Sequence, residues 1–164
     1  MRILFWDIDG TLLSTGRAGI FAWERAVVEV FGGTVDFSSV KTAGLTDTEI
    51  AAALSKVASA SPTSEDVARV LQRYEHHLPD CLPLRTGTVL PGVMEVLEHL
   101  RGVDHVQSML LTGNTRAGAA AKLAHYGLGQ SRSPWGVTVD ADRVRSHLYL
   151  VTVHGPDPAL SHAP

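Results

Sequence analysis

The sequence has one cysteine, Cys81, and no long apolar run in its 164 residues. A single cysteine excludes an internal disulfide and a metal site made of several thiolates. A membrane-spanning helix needs roughly 20 consecutive apolar residues, and no segment approaches that length. Asp7 and Asp9 interrupt any apolar stretch near the amino terminus, where a signal peptide would have one. These absences predict a cytoplasmic protein that makes no membrane contact.

The sequence also lacks a large excess of charge of one sign. The 14 Lys and Arg residues oppose 17 Asp and Glu residues, which gives a net charge of −3 at pH 7. Such a balance argues against a surface dedicated to nucleic acid or to an anionic membrane. The length suits one domain, or a core with a modest insert. The oligomeric state stays open.

The most informative segment comes near the start of the chain. The apolar run Ile3–Trp6 predicts a short buried strand, and it is followed directly by Asp7, Ile8 and Asp9. Because side chains alternate along a strand, the two carboxylates are expected on the same side. Gly10 then permits a sharp turn. Paired carboxylates at the end of a buried strand repel each other, and a cation or a shared proton relieves that cost. The alternative is an ordinary turn that closes a strand.

A second segment of the same kind lies about a hundred residues further on. Met109–Leu111 is apolar and is followed by Thr112 and Gly113. This strand is expected beside the first one, so that both ends lie at the same edge of a sheet. Asn114 follows Gly113, and Lys122 stands ten positions beyond Thr112.

These segments resemble the motifs of the haloacid dehalogenase-like hydrolase superfamily, which consists mostly of Mg²⁺-dependent phosphatases. The resemblance is closest to the phosphoglycolate-phosphatase-like branch and covers about residues 1–129. Thr46-Asp47 and Leu90–Val93 also match the context between the motifs. The resemblance implies that Asp7 is the nucleophile and forms an aspartyl-phosphate. It implies that Asp9 gives a proton to the leaving alcohol and later takes one from water.

The resemblance also implies a cofactor and a phosphate-binding set. Mg²⁺ would be held by the Asp7 carboxylate and by the main-chain carbonyl of Asp9, in the oxygen-rich surroundings that this ion prefers. Thr112 and Lys122 complete the implied catalytic set. The implied phosphate-binding residues are Gly10, Thr11, Gly113 and Asn114.

For two of these residues, a simpler structural role stays open as an alternative. Asn114 either shapes the turn that follows the second strand or serves as the N-cap of the next helix. Lys122 either neutralises charge in the transition state or is an exposed lysine that aids solubility. Trp23, Tyr74, His76 and His77 are expected to be packing or surface residues rather than ligands.

The coarse pattern predicts an α/β fold with a Rossmann-like parallel sheet. Residues 1–13 and 86–129 would form the core, and residues 14–85 a helical insert. The segment Leu78–Leu90, which contains two prolines, is expected to be the linker that returns to the core. The insert is predicted from a helical run over about 18–31, a capping box over 46–49 and a helix start at Ser61-Pro62. In the resembled family such an insert is a cap that closes over the active site.

The resemblance is incomplete at the carboxyl-terminal end. The family's fourth motif, Gly-Asp followed by a further acid on the metal, is absent from this sequence. Asp140 and Asp157 are weak candidates for the missing acidic ligand. Residues 130–164 are expected to be an atypical tail, out of register with the family as in a frameshifted or truncated product.

The presence of Asp9 favours phosphoryl transfer, because dehalogenation in the resembled superfamily needs only the first aspartate and no metal. The sequence therefore predicts a Mg²⁺-dependent phosphatase that acts on a small phosphorylated metabolite and is impaired by loss of the fourth motif. One alternative is a sugar phosphomutase with the same Asp7 and Asp9 chemistry. Another is a non-catalytic remnant of the fold.

Overall fold

The computed structural model describes residues 2–37, 40–42, 44–101 and 103–128, together with the backbone of two later strands. The strands are β1 (Arg2–Trp6), β2 (Leu13–Ser14), β3 (Thr88–Val89), β4 (Val106–Thr112), β5 (Gly136–Val139) and β6 (Tyr149–His154). The helices are α1 (Gly19–Phe31), α2 (Asp47–Ala58), α3 (Ser64–Cys81), α4 (Val93–Leu100) and α5 (Arg116–His125). A 3₁₀ turn covers Leu82–Leu84.

The main sheet has the strand order β1-β4-β6-β5. Strands β1 and β4 are parallel, and Trp6 lies opposite Leu110 at the end of their pairing. Strand β6 is antiparallel to β4, and β5 is antiparallel to β6. The α/β class is confirmed, with a parallel pair at one side of the sheet and an antiparallel pair at the other. The parallel pair brings the carboxyl ends of β1 and β4 to one edge.

The prediction that the first strand is buried is wrong. Ile3, Leu4 and Phe5 are 42, 36 and 53% exposed. Strand β1 is at one side of the sheet, and among the described residues only β4 pairs with it. Strand side chains point above and below the sheet, so their cover comes from elements packed on its two faces, and in the described part of the chain this cover leaves three side chains of β1 partly exposed.

The start of α3 differs from the prediction. A start at Ser61-Pro62 was expected, but the helix begins at Ser64 with Thr63 as its N-cap. The Asp66 main-chain N–H donates to Thr63 Oγ1 at 3.1 Å, and the Thr63 main-chain N–H donates to the Asp66 carboxylate at 3.0 Å. This reciprocal capping box satisfies two free donors, which explains the later start. The capping box predicted at Thr46 and Glu49 is present at the start of α2.

The end of α3 also differs. The return linker was expected from Leu78, whereas the helix continues past Pro79 to Cys81. Leu78 and Cys81 are fully buried. Burial of this last turn against the other helices outweighs the hydrogen bond that Pro79 removes.

The buried residues form two clusters. One belongs to the helical insert and includes Trp23, Leu54, Val70 and Leu78. The other lies beside the sheet and contains Ile8, Leu13, Val93, Leu97, Leu110 and Leu123. The insert therefore has an apolar core of its own.

The aromatic and histidine residues of the insert pack or lie at the surface. The rings of Trp23 and Tyr74 stack with centroids 3.7 Å apart, and both side chains are almost fully buried. His76 is exposed, and His77 Nε2 lies 3.0 Å from the Glu29 carboxylate. These positions agree with the roles expected from the sequence.

The described part of the chain contains no helix with both the length and the apolar character needed to cross a membrane. Of the predicted tail, only the backbone of β5 and β6 is described. Asp140 and Asp157 lie outside the described residues.

The insert joins the core through a short two-stranded ribbon. Strands β2 and β3 are antiparallel, with Ser14 opposite Thr88. Gly87 comes directly before Thr88 in the sequence. A Cβ atom at Gly87 would lie 2.0 Å from the Tyr126 hydroxyl and 2.4 Å from the Ser14 carbonyl oxygen. Only glycine fits this point, because the second clash is with backbone.

We expect Gly87→Ala to lower the free energy of unfolding by about 1–3 kcal/mol or more, because the methyl group overpacks the ribbon. Adding Tyr126→Phe should relieve only part of the loss, since the clash with Ser14 remains. Gly33→Ala is the matched control, because a Cβ there meets no atom within 4 Å. Urea denaturation measures all three, and equal midpoints for Gly87→Ala and Gly33→Ala would contradict the close packing.

Candidate functional site

A cavity of about 700 Å³ lies at the edge where β1 and β4 end. Both the core and the helical insert contribute to its wall. The core residues that line it include Asp7, Asp9, Gly10, Leu111, Thr112, Gly113, Asn114 and Lys122. The insert contributes, among others, Arg17, Trp23, Thr46, Asp47, Ile50 and Tyr74. The structure thus brings together all but one of the catalytic and phosphate-binding residues predicted within the described segments.

The exception is Thr11, which does not line the cavity. Its main-chain N–H donates to the Ile8 carbonyl at 3.3 Å, inside the turn that follows β1. The same turn is closed by the Gly10 N–H, which donates to the Leu13 carbonyl at 2.8 Å. Gly10 has a φ of 81°, a conformation that favours glycine.

Ile8 fixes the orientation of the two acids on either side of it. Its side chain is fully buried in the core cluster, whereas Asp7 and Asp9 both face the cavity. Among the described residues, no hydrogen bond is donated to the Asp7 carboxylate. Asp7 is therefore free to contact a ligand, and Asp9 lies within reach of the same ligand.

Asp9 is held by two donors from the other side of the site. Lys122 Nζ donates to Asp9 Oδ2 at 2.6 Å, and the Asn114 side-chain amide donates to the same oxygen at 2.8 Å. Lys122 Nζ also donates to Asn114 Oδ1 at 2.5 Å. These three side chains form a closed ring of hydrogen bonds, which fixes the orientation of each member.

Lys122 is buried, with only 6% of its surface exposed. This position excludes the alternative of an exposed lysine. An ammonium group is costly to bury unless it is paired, and Asp9 provides the pairing charge. The role of Lys122 in catalysis stays a prediction.

Asn114 is not the N-cap of the following helix. Thr115 occupies that position, and its hydroxyl accepts from the Gly118 main-chain N–H at 3.1 Å. The Asn114 amide instead donates to Thr112 Oγ1 at 2.8 Å as well as to Asp9. Of the two interpretations left open by the sequence, the structure supports the one in which Asn114 shapes the turn.

Asp47 is the site residue that sequence reasoning missed. It lies in the first turn of α2, and its carboxylate accepts from the Thr115 main-chain N–H at 2.8 Å. Its own main-chain N–H donates to the Gly113 carbonyl at 2.8 Å. The pair Thr46-Asp47 was noted as family context, but no pattern in the sequence links position 47 with a turn some 68 residues away.

Burial raises the pKa of Asp47 from 3.8 to about 6, because desolvation disfavours the charged carboxylate. The Lys122 charge and the hydrogen bond from Thr115 act in the opposite direction and lower this pKa. The nearby charges of Asp9 and Glu75 raise it further.

The oxygen atoms of the site are suitable ligands for a magnesium ion. Asp7 and Asp9 line the cavity and supply oxygen atoms, and Mg²⁺ is commonly held by one or two carboxylates together with water and substrate phosphate. The described segments contain no group of three or more His, Cys, Asp and Glu residues that could hold a metal. The residues in place therefore fit a Mg²⁺ site with few acidic ligands.

The family model of the haloacid dehalogenase-like hydrolases matches residues 4–155. The chain belongs to this family. The match continues past Gly129, so the model aligns with part of the segment in which the sequence shows no family motif. No curated protein matches the chain.

Several solved structures have a similar fold. CbbY from Rhodobacter sphaeroides, in complex with phosphate, has a TM-score of 0.63 at 13% identity, with 80% of this chain and 60% of that chain covered. A hydrolase from Pseudomonas syringae has a TM-score of 0.59 at 21% identity, with 80% of this chain and 58% of that chain covered. A predicted phosphoglycolate phosphatase from Haemophilus somnus 129PT has a TM-score of 0.56 at 17% identity, with 77% of this chain and 57% of that chain covered. The chain spans about three-fifths of the length of these structures.

The raised pKa of Asp47 predicts a specific pH dependence of stability. In the unfolded chain this carboxyl titrates near 3.8, whereas in the folded chain it titrates near 6. The folded chain therefore binds the additional proton between these values, and this contribution to stability falls as the pH rises from about 4 to about 6. The difference corresponds to about 3 kcal/mol.

Asp47→Asn lacks this titration. Its free energy of unfolding, minus that of the wild type, should increase by about 3 kcal/mol between pH 4 and pH 7 in urea denaturation. Asp80→Asn, which removes an acid from an exposed position of α3, is the matched control for the loss of one carboxylate. A difference between Asp47→Asn and the wild type that stays constant with pH would show that the folded state does not raise this pKa.

Proposed function

We propose that the protein is a Mg²⁺-dependent phosphatase that hydrolyses a small phosphorylated metabolite through an aspartyl-phosphate on Asp7. The observation that carries this proposal is the ring formed by Asp9, Asn114 and Lys122, in a cavity that Asp7 also lines. A nucleophile, a proton carrier and a fixed positive charge are the groups that hydrolysis of a phosphate ester requires.

In the first step, an Asp7 carboxylate oxygen attacks phosphorus and the bond from phosphorus to the leaving oxygen breaks. In this step Asp9 carries a proton, and the negative charge of the bound phosphoryl group offsets that of Lys122, which lines the same cavity. Asp9 gives its proton to the leaving oxygen, so that an alcohol departs. Both donors from Lys122 and Asn114 contact Asp9 Oδ2, which leaves Oδ1 for the proton transfer.

In the second step, a water oxygen attacks the phosphorus of the aspartyl-phosphate. The water gives a proton to Asp9, and the bond between phosphorus and the Asp7 oxygen breaks. Inorganic phosphate then leaves, and both acids return to their starting states. The same residue serves as acid and then as base, as microscopic reversibility requires.

The charge that develops on the phosphoryl oxygens is met by donors at the end of β4. The Thr112 hydroxyl accepts from Asn114, so its own proton stays available to donate to a phosphoryl oxygen. The Gly113 main-chain N–H lies just before α5, where the helix dipole favours an anion. The Lys122 ammonium lines the same cavity and adds positive charge there.

Mg²⁺ would be held by the Asp7 carboxylate and the Asp9 carbonyl, and when bound it supplies positive charge that offsets the negative charge of the phosphoryl group. The helical insert would act as a cap, because residues from α1, α2 and α3 complete the cavity wall. A volume of about 700 Å³ suits a small molecule.

We expect Asp7→Asn to lower the rate of p-nitrophenyl phosphate hydrolysis with Mg²⁺ by roughly three orders of magnitude or more, because the amide cannot form the covalent intermediate. Asp104→Asn is the matched control: it changes an exposed acid before β4, at the opposite end of the strand from the cavity. Turnover by Asp7→Asn at the wild-type rate would remove Asp7 from the role of nucleophile. Absence of turnover in a folded wild type, on a panel of phosphate esters, would favour the non-catalytic alternative.

We expect excess EDTA to abolish turnover and added Mg²⁺ to restore it, while Ca²⁺ should not, since Ca²⁺ takes more ligands at longer distances. Calorimetry with Mg²⁺ alone should show weak binding, because few acidic groups are in place, and Asp7→Asn should weaken it further. Asp104→Asn should bind as the wild type does. Turnover that survives EDTA would contradict a role for the metal.

A further inference from the structure

We propose that Asp47 is a positioning residue, which holds the turn Gly113–Thr115 from the helical insert so that Asn114 stays against Asp9 and Lys122. This inference rests on the proposed phosphatase function for its effect on turnover, but its structural part can be tested without activity. Asp47 contacts neither Asp9 nor Lys122 through any hydrogen bond in the described part of the chain.

The contacts of Asp47 lie on both sides of Asn114. Its N–H donates to the Gly113 carbonyl, and its carboxylate accepts from the Thr115 N–H, each at 2.8 Å. The residues immediately before and after Asn114 are therefore fixed by one residue of the insert. Two bonds at the two ends of a three-residue turn leave its middle residue little freedom to rotate.

Asn114 is the residue of this turn that contacts the proposed proton carrier. Its amide nitrogen donates to Asp9 and Thr112, and its amide oxygen accepts from Lys122. A rotation of the main chain at Asn114 would break all three bonds together. The geometry around Asp9 thus depends on contacts made by a helix of the insert.

Two glycines allow this close contact between insert and core. A Cβ atom at Gly113 would lie 3.1 Å from Thr46 Cα, and one at Gly118 would lie 3.1 Å from Asp47 Oδ2. Both distances are shorter than ordinary van der Waals contacts between carbon or oxygen atoms. A side chain at either position would press against Thr46 or Asp47, so glycine at both positions suits this close contact.

Burial argues that the Asp47 carboxylate has a function beyond helix capping. Only 5% of Asp47 is exposed, although an acid in the first turn of a helix stabilises that helix from an exposed position as well. Desolvating a carboxylate is unfavourable. Its retention at this contact is explained if it fixes the turn at the start of α5.

The experiment compares Asp47→Ala, which removes the acceptor, with Asp47→Asn, whose amide oxygen can still accept from the Thr115 N–H. Asp47→Ala should lower kcat about 10- to 100-fold and change KM less than about threefold, because a displaced catalytic group slows the chemical step. Asp47→Asn should restore kcat to within about threefold of the wild type. Asp66→Ala is the matched control, since it removes an acid from the first turn of α3 and should leave kcat unchanged.

Gly118→Ala tests the same contact from the other side, and it should lower kcat although alanine favours a helix more than glycine does. Equal kcat values per folded molecule for Asp47→Ala and the wild type, with only a lower Tm, would overturn the proposal and leave Asp47 a purely structural role.

A second measurement does not need turnover. This measurement compares ¹H–¹⁵N NMR spectra of the wild type and the variants without ligand. Relative to the wild type, the side-chain amide signals of Asn114 should shift in Asp47→Ala and stay in place in Asp47→Asn and Asp66→Ala. Unmoved Asn114 signals in folded Asp47→Ala would overturn the proposal. Shifted signals together with an inactive wild type would support the positioning role and reject the phosphatase function, so the two failures are distinguishable.

Discussion

The pairing of the Lys122 ammonium with Asp9 is the interaction on which the site depends. Lys122 is almost completely buried, and a lone ammonium group in that position would be strongly destabilising. Asp9 provides the compensating charge, and Asn114 accepts a further hydrogen bond from Lys122. The turn after β1 is thereby fixed to a segment more than a hundred residues away, which comprises the turn after β4 and the second turn of α5. All three side chains line the cavity.

The helical insert and the core are joined in two different ways. At the ribbon of β2 and β3 the contact is steric, with Gly87 packed against the Tyr126 hydroxyl and the backbone of Ser14. At Asp47 the contact is polar and directional, with reciprocal hydrogen bonds to the turn before α5. The steric contact limits the position of the insert relative to the core. The polar contact links that position to the side chains of the site.

Local sequence patterns predicted the site where the chemistry depends on neighbouring residues. The acids after β1, the hydroxyl at the end of β4 and the capping box of α2 each follow from spacing within a few residues. The burial of Lys122, the choice between two interpretations of Asn114 and the contact of Asp47 with Thr115 depend on how distant segments pack, which periodicity does not encode. The start of α3 was missed because two cap signals stand close together, at Ser61-Pro62 and at Thr63, and only Thr63 completes reciprocal bonds.

The apolar character of β1 predicted an interior strand, but the observed strand order leaves it with one described neighbour and with Ile3 and Phe5 facing outwards. In the part of the chain that the structure describes, the N–H and C=O groups on the outer side of β1 have no strand partner and lie next to exposed apolar side chains, an arrangement that can pair with a strand from another molecule. The chain carries no lysine or proline in β1 to discourage that approach. Handling at high concentration would therefore be limited by aggregation along this edge, before any loss of the folded state.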